Sequence, residues 1–201
     1  MAQILQAKPQ ARPKLEFPLI PQKGPLSAAH VEKAHSFEPM YKLPSFLIPT
    51  GRYSNTRPPR FHYGWALEIF DRLYETAKEL GVQPRARDED SDDDSETEED
   101  EEEEEELPTV STTEIYFRDD AMTALTKHLK LGKEPYLATV FRPGKDRITM
   151  VALAENYAFK DGFALFSDME KLTDHFKFDS EPMWYIDAYF WMWNGDDYWY
   201  S

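Results

Sequence analysis

Residues 184–193 read WYIDAYFWMW. Strand alternation places Trp184, Ile186, Phe190 and Met192 on one side, and Tyr185, Asp187, Tyr189, Trp191 and Trp193 on the other. Both sides are bulky and apolar, so a strand here needs cover on two faces. The helices of the same C-terminal half supply one cover. The other is a helix expected over 63–80, where Trp65, Ile69, Leu73 and Ala77 recur every four residues and Ala66, Phe70 and Leu80 widen the stripe. Gly81 suits the left-handed residue that ends a helix. A lone amphipathic helix of that length is marginal in water, so it must pack on something. The two flanks of the chain are therefore expected to build one core, with the middle as an insertion within it.

The middle is residues 88–106, DEDSDDDSETEEDEEEEEE, in which sixteen of nineteen side chains are acidic and none is basic. So many like charges repel, stay hydrated and are expected to remain disordered until a cation meets them. The chain of 201 residues carries a net charge of −15, and without these sixteen carboxylates 23 Lys and Arg would face 22 Asp and Glu. One short stretch thus holds the whole charge excess. It reads as a solvated spacer, as a lid over the basic N-terminal segment, or as a landing site for a basic protein, histone-like or ribosomal-like. In the last case Asp92, Asp93, Asp94, Glu98, Glu99, Asp100, Glu103 and Glu104 make the contact. Calcium is disfavoured, because its loops need a turn glycine and this run has none. Ser91, Ser95 and Thr97 are each followed by acids, the setting an acidophilic kinase prefers, and are candidate phosphorylation sites.

Residues 107–201 alternate strand and helix signals. A Thr-rich strand is expected over 110–117, a helix over 121–131 capped by Asp119 and Asp120, and a hairpin of 136–141 with 147–153 across Pro143-Gly144. A second hairpin is expected around Lys160-Asp161-Gly162, then a helix opened by the Ser167–Glu170 capping box, a last strand over 183–193, and a turn at Asn194-Gly195. The resulting class is α+β, a mainly antiparallel sheet with two or three packed helices, a disordered N-terminal tail and a disordered acidic insertion. The chain divides into a Pro-rich mobile tail (1–35), an irregular apolar segment plus amphipathic helix (36–87), the acidic loop (88–106) and the α+β core (107–201). Prolines at 9, 13, 18, 21 and 25 exclude regular structure through the tail, although Phe17-Pro18-Leu19-Ile20-Pro21 is apolar enough to dock.

Chemistry is poorly supported. There is no cysteine, no glycine-rich phosphate loop, no paired-histidine zinc motif and no nucleophile elbow. His128 and His175 fall on expected helices, where a surface or core-edge role suffices. Glu155 and Asp187 sit on neighbouring strands, but their separation cannot be read from sequence. No cofactor, metal or catalytic residue is assigned, and the lack of a catalytic constellation points away from an enzyme. Tyr189, Trp191, Trp193 and Trp199 form a possible aromatic docking surface for a peptide or protein. Nucleic acid is disfavoured there, since the neighbours Asp187, Asp196 and Asp197 repel phosphate. No stretch reaches the roughly 18 uninterrupted apolar residues of a membrane span, and a signal-peptide core is lacking, so a soluble cytoplasmic or nuclear protein is expected.

Two function classes remain. The first is a non-catalytic intracellular interaction or regulatory protein whose acidic loop engages a basic protein. The second is a small α+β ligand-binding or catalytic domain with an aromatic-lined pocket and a passive acidic spacer. A deep cleft pairing Glu155 or Asp187 with His128 or His175 would favour the second.

Overall fold

The computed structural model describes residues 16–21, 25–49, 56–66, 70–82, 112–158 and 166–195. Four helices lie among them: α1 (Ala28–His35), α2 (Phe70–Glu79), α3 (Thr112–Leu129) and α4 (Phe166–Phe176), with a 3-10 turn at Ser45–Leu47. The strands are β1 (Thr56–Arg57), β2 (Phe61–Ala66), β3 (Tyr136–Arg142), β4 (Lys145–Glu155), β5 (Met183–Ile186) and β6 (Asn194–Gly195). Four of these form an antiparallel sheet in the order β3-β4-β2-β5, while β1 and β6 make a separate two-residue ribbon. The fold is α+β with a mainly antiparallel sheet.

Strand alternation gives the sheet two distinct faces. Phe61, Tyr63 and Trp65 of β2 share one face with Trp184 and Ile186 of β5 and with Val151 of β4, as the pairings Phe61–Ile186, Tyr63–Trp184 and Trp65–Val151 require. Helices cover half of this face. Leu73 and Ala77 of α2, Ala121, Met122 and Leu125 of α3, and Leu172 and Phe176 of α4 meet Trp65, Val151 and Leu153 in one buried cluster. Each helix offers side chains spaced by three or four residues, the spacing that brings them onto one stripe. The Trp65 ring stacks on Phe178 at 4.5 Å, and Phe178 on Phe176 at 5.3 Å. The N-terminal segment covers the rest of the face with Ala34, Leu43 and Leu47, packed on Phe61, Phe141, Trp184 and Ile186. Met40 and Trp184 exchange backbone hydrogen bonds of 2.9 and 2.7 Å, fastening this segment to the edge of β5.

The opposite face is turned inward. The two outer strands of the sheet meet, since Val140 bridges Asp187 and the Ala188 N–H donates to the Thr139 carbonyl at 2.9 Å. A sheet of four strands that curls toward closure leaves little room inside. Its inward positions are accordingly short or flexible: Gly64, Ala66, Ala138, Val140, Met150 and Ala152, joined by Tyr185. Gly64 marks the tightest point. A Cβ there would lie 2.0 Å from the Val151 carbonyl oxygen and 3.0 Å from the Met150 methyl. The β2–β4 register slips by one residue between Tyr63 and Gly64, the kind of bulge that sharpens strand curvature.

Several expected elements take another form. The helix expected over 63–80 is a strand up to Ala66 and a helix only from Phe70. The four-residue recurrence at 65–77 spanned both elements, while the two-residue alternation of Phe61, Tyr63 and Trp65 sets the strand. From Thr112 onward the strand expected over 110–117 is part of α3 instead, because the stripe of Ala121 and Leu125 extends back to Phe117, which meets Tyr74 of α2 at 5.5 Å; residues 110 and 111 lie outside the described residues. Asp119 and Asp120 are therefore interior helix positions, not caps. The last strand ends at Ile186 rather than 193. There the Asp187 carboxylate accepts the N–H groups of Tyr189 and Phe190 at 2.6 and 2.7 Å, bending the chain out of the sheet. Asn194-Gly195 is no hairpin turn but β6, paired with Thr56–Arg57. The exclusion of regular structure from 1–35 fails for α1, which starts after the last of the spaced prolines. The hairpin around Lys160 lies outside the described residues.

The two halves of the chain share this core. β2 from the N-terminal half lies between β4 and β5, and α2 packs against α3. Residues 80–111 join α2 to α3, so the acidic run lies on the chain between two neighbouring helices.

Candidate functional site

Three polar side chains line the inward face. His62, on β2, is paired across the sheet with Glu155 on one side and Tyr185 on the other. Asp187 follows β5 in the same inward phase as Tyr185, and Tyr136 opens β3. His62 Nε2 lies 2.7 Å from Asp187 Oδ2, and His62 Nδ1 lies 2.9 Å from the Tyr136 hydroxyl. His62 and Asp187 are 3% and 5% exposed, so water plays little part between them. A carboxylate only accepts, so Nε2 carries the hydrogen toward Asp187. In the neutral ring Nδ1 then accepts the Tyr136 O–H.

The other Asp187 oxygen is also used, by the N–H groups of Tyr189 and Phe190. Burial pushes the Asp187 carboxyl up, but the hydrogen bonds from His62 and the two N–H groups outweigh it and hold the acid below its ordinary range. Burial pushes the Tyr136 hydroxyl well above the ordinary tyrosine value, and the nearby Glu155 charge adds to this. A phenol held protonated in this way donates to His62 but is no nucleophile near neutrality.

A second polar knot borders the first. Asn156 is fully buried, and its side-chain amide bonds to three backbone groups. Its Oδ1 accepts the Phe61 N–H at 2.9 Å, and its Nδ2 donates to the carbonyls of Leu47 (2.7 Å) and Pro59 (2.9 Å). It thereby pins the N-terminal segment and the start of β2 to the end of β4. Arg60 stands at the same end. Its guanidinium lies 4.4 Å from the Phe190 ring centroid and 5.8 Å from that of Tyr157, and its Nε lies 3.6 Å from Glu155 Oε2. That Nε is buried with no hydrogen-bond partner. The Arg60 backbone accepts the Asp187 N–H at 3.0 Å and donates to Phe190 at 2.8 Å, which locks the turn after β5 in place.

Of the residues singled out from sequence, Asp187 belongs to this trio and Glu155 is paired with His62, but they are not on neighbouring strands, because β2 lies between β4 and β5. Asp92, Asp93, Asp94, Glu98, Glu99, Asp100, Glu103 and Glu104, the candidate phosphorylation sites Ser91, Ser95 and Thr97, and Trp199 all lie outside the described residues. Tyr189 is exposed, with the Arg147 guanidinium 5.4 Å from its ring. Trp191 and Trp193 are half-buried and face the chain's own N-terminal segment: Phe17 lies edge-on to Trp191, and the Trp193 indole N–H donates to the Pro18 carbonyl. His128 is exposed on α3, and His175 of α4 sits 3.0 Å from Thr76 Oγ1 of α2. Neither approaches Asp187 or Glu155 as a partner; that place belongs to His62. The sequence does hold a signal for it, a polar residue in phase with Gly64 and Ala66 on an otherwise small, apolar strand face.

Among the described residues no three His, Asp or Glu side chains gather as a metal would require. Nor is any described helix long and apolar enough to cross a membrane. Comparison with protein-family models, with curated proteins and with solved structures finds no match.

Proposed function

We propose that this chain is a non-catalytic interaction protein that offers its acidic segment, residues 88–106, to a basic protein of histone-like or ribosomal-like charge. One observation carries the reading: α2 and α3 pack together in a single core, and the sixteen carboxylates lie on the chain between them. A polyanion rooted at both ends in one folded body offers a dense charge close to a fixed surface. Its attraction for a cationic partner is long-ranged at low salt and is screened over roughly 8–10 Å at physiological salt. Phosphate on Ser91, Ser95 or Thr97 would add roughly −1.5 to −2 charge each and strengthen the grip.

The ionisable groups of the inward face support the non-catalytic part. Catalysis by a base requires a nitrogen or oxygen that reaches a substrate proton. Both His62 ring nitrogens and both Asp187 oxygens are already bonded within the protein. The trio reads as the polar closure of a curled sheet. Deletion of 88–106 tests the proposal. The remaining linker still spans two adjacent helices, and shortening a loop changes closure entropy only logarithmically. The deleted chain should fold and lose its salt-sensitive binding to a histone-like protein. Undiminished binding would remove the acidic segment from the account.

A further inference from the structure

We infer that the shelf formed by Trp191, Trp193 and His30 is a binding site for a short aromatic–proline–aliphatic segment of a partner protein, and that residues 16–19 occupy it in the unpartnered chain as a built-in competitor. The occupant displays the chemistry the shelf accepts. Phe17 stands edge-on to Trp191, with ring centroids 6.0 Å apart, and to His30, at 5.0 Å. Pro18 is buried, and its carbonyl accepts the Trp193 indole N–H at 2.7 Å. Leu19 joins the same apolar cluster. Aromatic faces that grip a proline, beside an indole donor that reads a carbonyl, recur where proline-containing segments are captured, and here the segment sits as a turn closed by the Leu19 N–H on the Glu16 carbonyl at 2.9 Å.

The occupant is lightly held. Only Pro18 of the six described residues 16–21 is fully buried; Phe17 and Leu19 are half-buried, and Glu16, Ile20 and Pro21 are exposed. The one ion pair on this segment among the described residues, Glu16–Lys33 at 3.7 Å, joins two exposed side chains. Exposed pairs of this kind add little. Its tether adds an effective concentration on the order of millimolar to these contacts. A partner peptide with the same pattern and added contacts outcompetes it. The rest of the N-terminal cover does not depend on it, since Leu43, Leu47 and the Met40–Trp184 pairing are anchored separately.

The test uses the full chain and a fluorescent synthetic peptide with the sequence of residues 14–23. Substituting Phe17→Ala with Pro18→Ala opens the shelf. Fluorescence anisotropy should then show the opened chain binding the peptide at least roughly tenfold more tightly than wild type, because the tethered competitor is gone. Adding Trp193→Phe, which keeps the ring but removes the donor, should cost roughly fivefold of that affinity. Equal peptide affinity in the wild-type and opened chains overturns the inference, as does Trp193→Phe without effect. An opened chain that no longer folds by near-ultraviolet circular dichroism overturns it too, since a competitor must be dispensable to the fold.

Discussion

Replacing Asp187 isolates the energetics of the inward polar face. In Asp187→Ala three donors lose their acceptor: His62 Nε2–H and the N–H groups of Tyr189 and Phe190. The first lies in a 3% exposed residue, so it has no water to turn to, and an orphaned buried donor costs about 1–3 kcal/mol. Tyr189 and Phe190 are exposed residues, and water replaces much of what their N–H groups lose, leaving about 0.5–1 kcal/mol each. The total is about 2–5 kcal/mol, most of it from the buried His62 donor. Asp187→Asn is milder. Its Oδ1 still accepts both N–H groups, and its amide donates to Nε2, so the ring switches tautomer and Nδ1–H donates to the Tyr136 oxygen. The loss is then about 1–2 kcal/mol, that of a charge-assisted bond replaced by a neutral one. Tyr136→Phe removes one bond to Nδ1 and should cost about 1 kcal/mol. Urea unfolding at pH 7 measures all three, with the denaturant slope unchanged if only stability is altered. A cost below about 1 kcal/mol for Asp187→Ala, or equal costs for Ala and Asn, refutes this reading. Acid titration gives a second view. The Asp187 carboxyl is held below its unfolded value of about 3.9, so its contribution is complete above that pH and is lost as pH falls through the folded value. Asp187→Asn abolishes this part of the acid sensitivity.

Asn156→Asp should destabilise more than Asn156→Ala in the same urea assay. Alanine leaves three backbone partners unmet, at about 1–3 kcal/mol for the buried Phe61 N–H alone, whereas aspartate also points a buried charge at the carbonyls of Leu47 and Pro59. Gly64→Ala should cost at least about 3 kcal/mol and lower soluble expression, because its Cβ meets a backbone oxygen that no rotamer change relieves. His175 has its affinity for a proton lowered by burial and by His128, so the unfolded chain takes up that proton first as pH falls below about 6.5. Stability therefore declines from that pH until the folded value is passed, and His175→Gln should flatten the urea midpoint between pH 7 and 5.5.

What the sequence disclosed follows from which signals are local. The β3–β4 hairpin was legible because Pro143-Gly144 sits between two apolar runs, and Gly144 adopts the positive φ of +77° that such a turn demands. The end of α2 was legible for the same reason, with Gly81 at φ +73°. The α+β class came from the order of local strand and helix signals, whereas the expected cover on two faces did not form: α2, α3 and α4 pack on one face of the sheet, and the other face is turned inward. β2 was not legible, because Trp65, Ile69, Leu73 and Ala77 fit a helical period across what are two elements. The end of β5 was missed because alternation continues past Ile186, while the Asp187 side chain competes for backbone N–H groups and turns the chain. The inward site needed long-range information. Tyr136 and Asp187 lie 74 and 125 residues from His62 along the chain, and the curl that joins the outer strands brings the three together.

The account stands most directly on one comparison, between the wild-type chain and a full-length variant with Asn and Gln in place of every acid in 88–106. Both are titrated with a histone-like basic protein at low and at physiological salt. The account predicts that the variant unfolds at an unchanged or slightly higher urea concentration, that the wild-type chain binds with an affinity that falls as salt rises, and that the neutralised chain does not bind. Equal binding by both chains, or a neutralised chain that fails to fold, would contradict it.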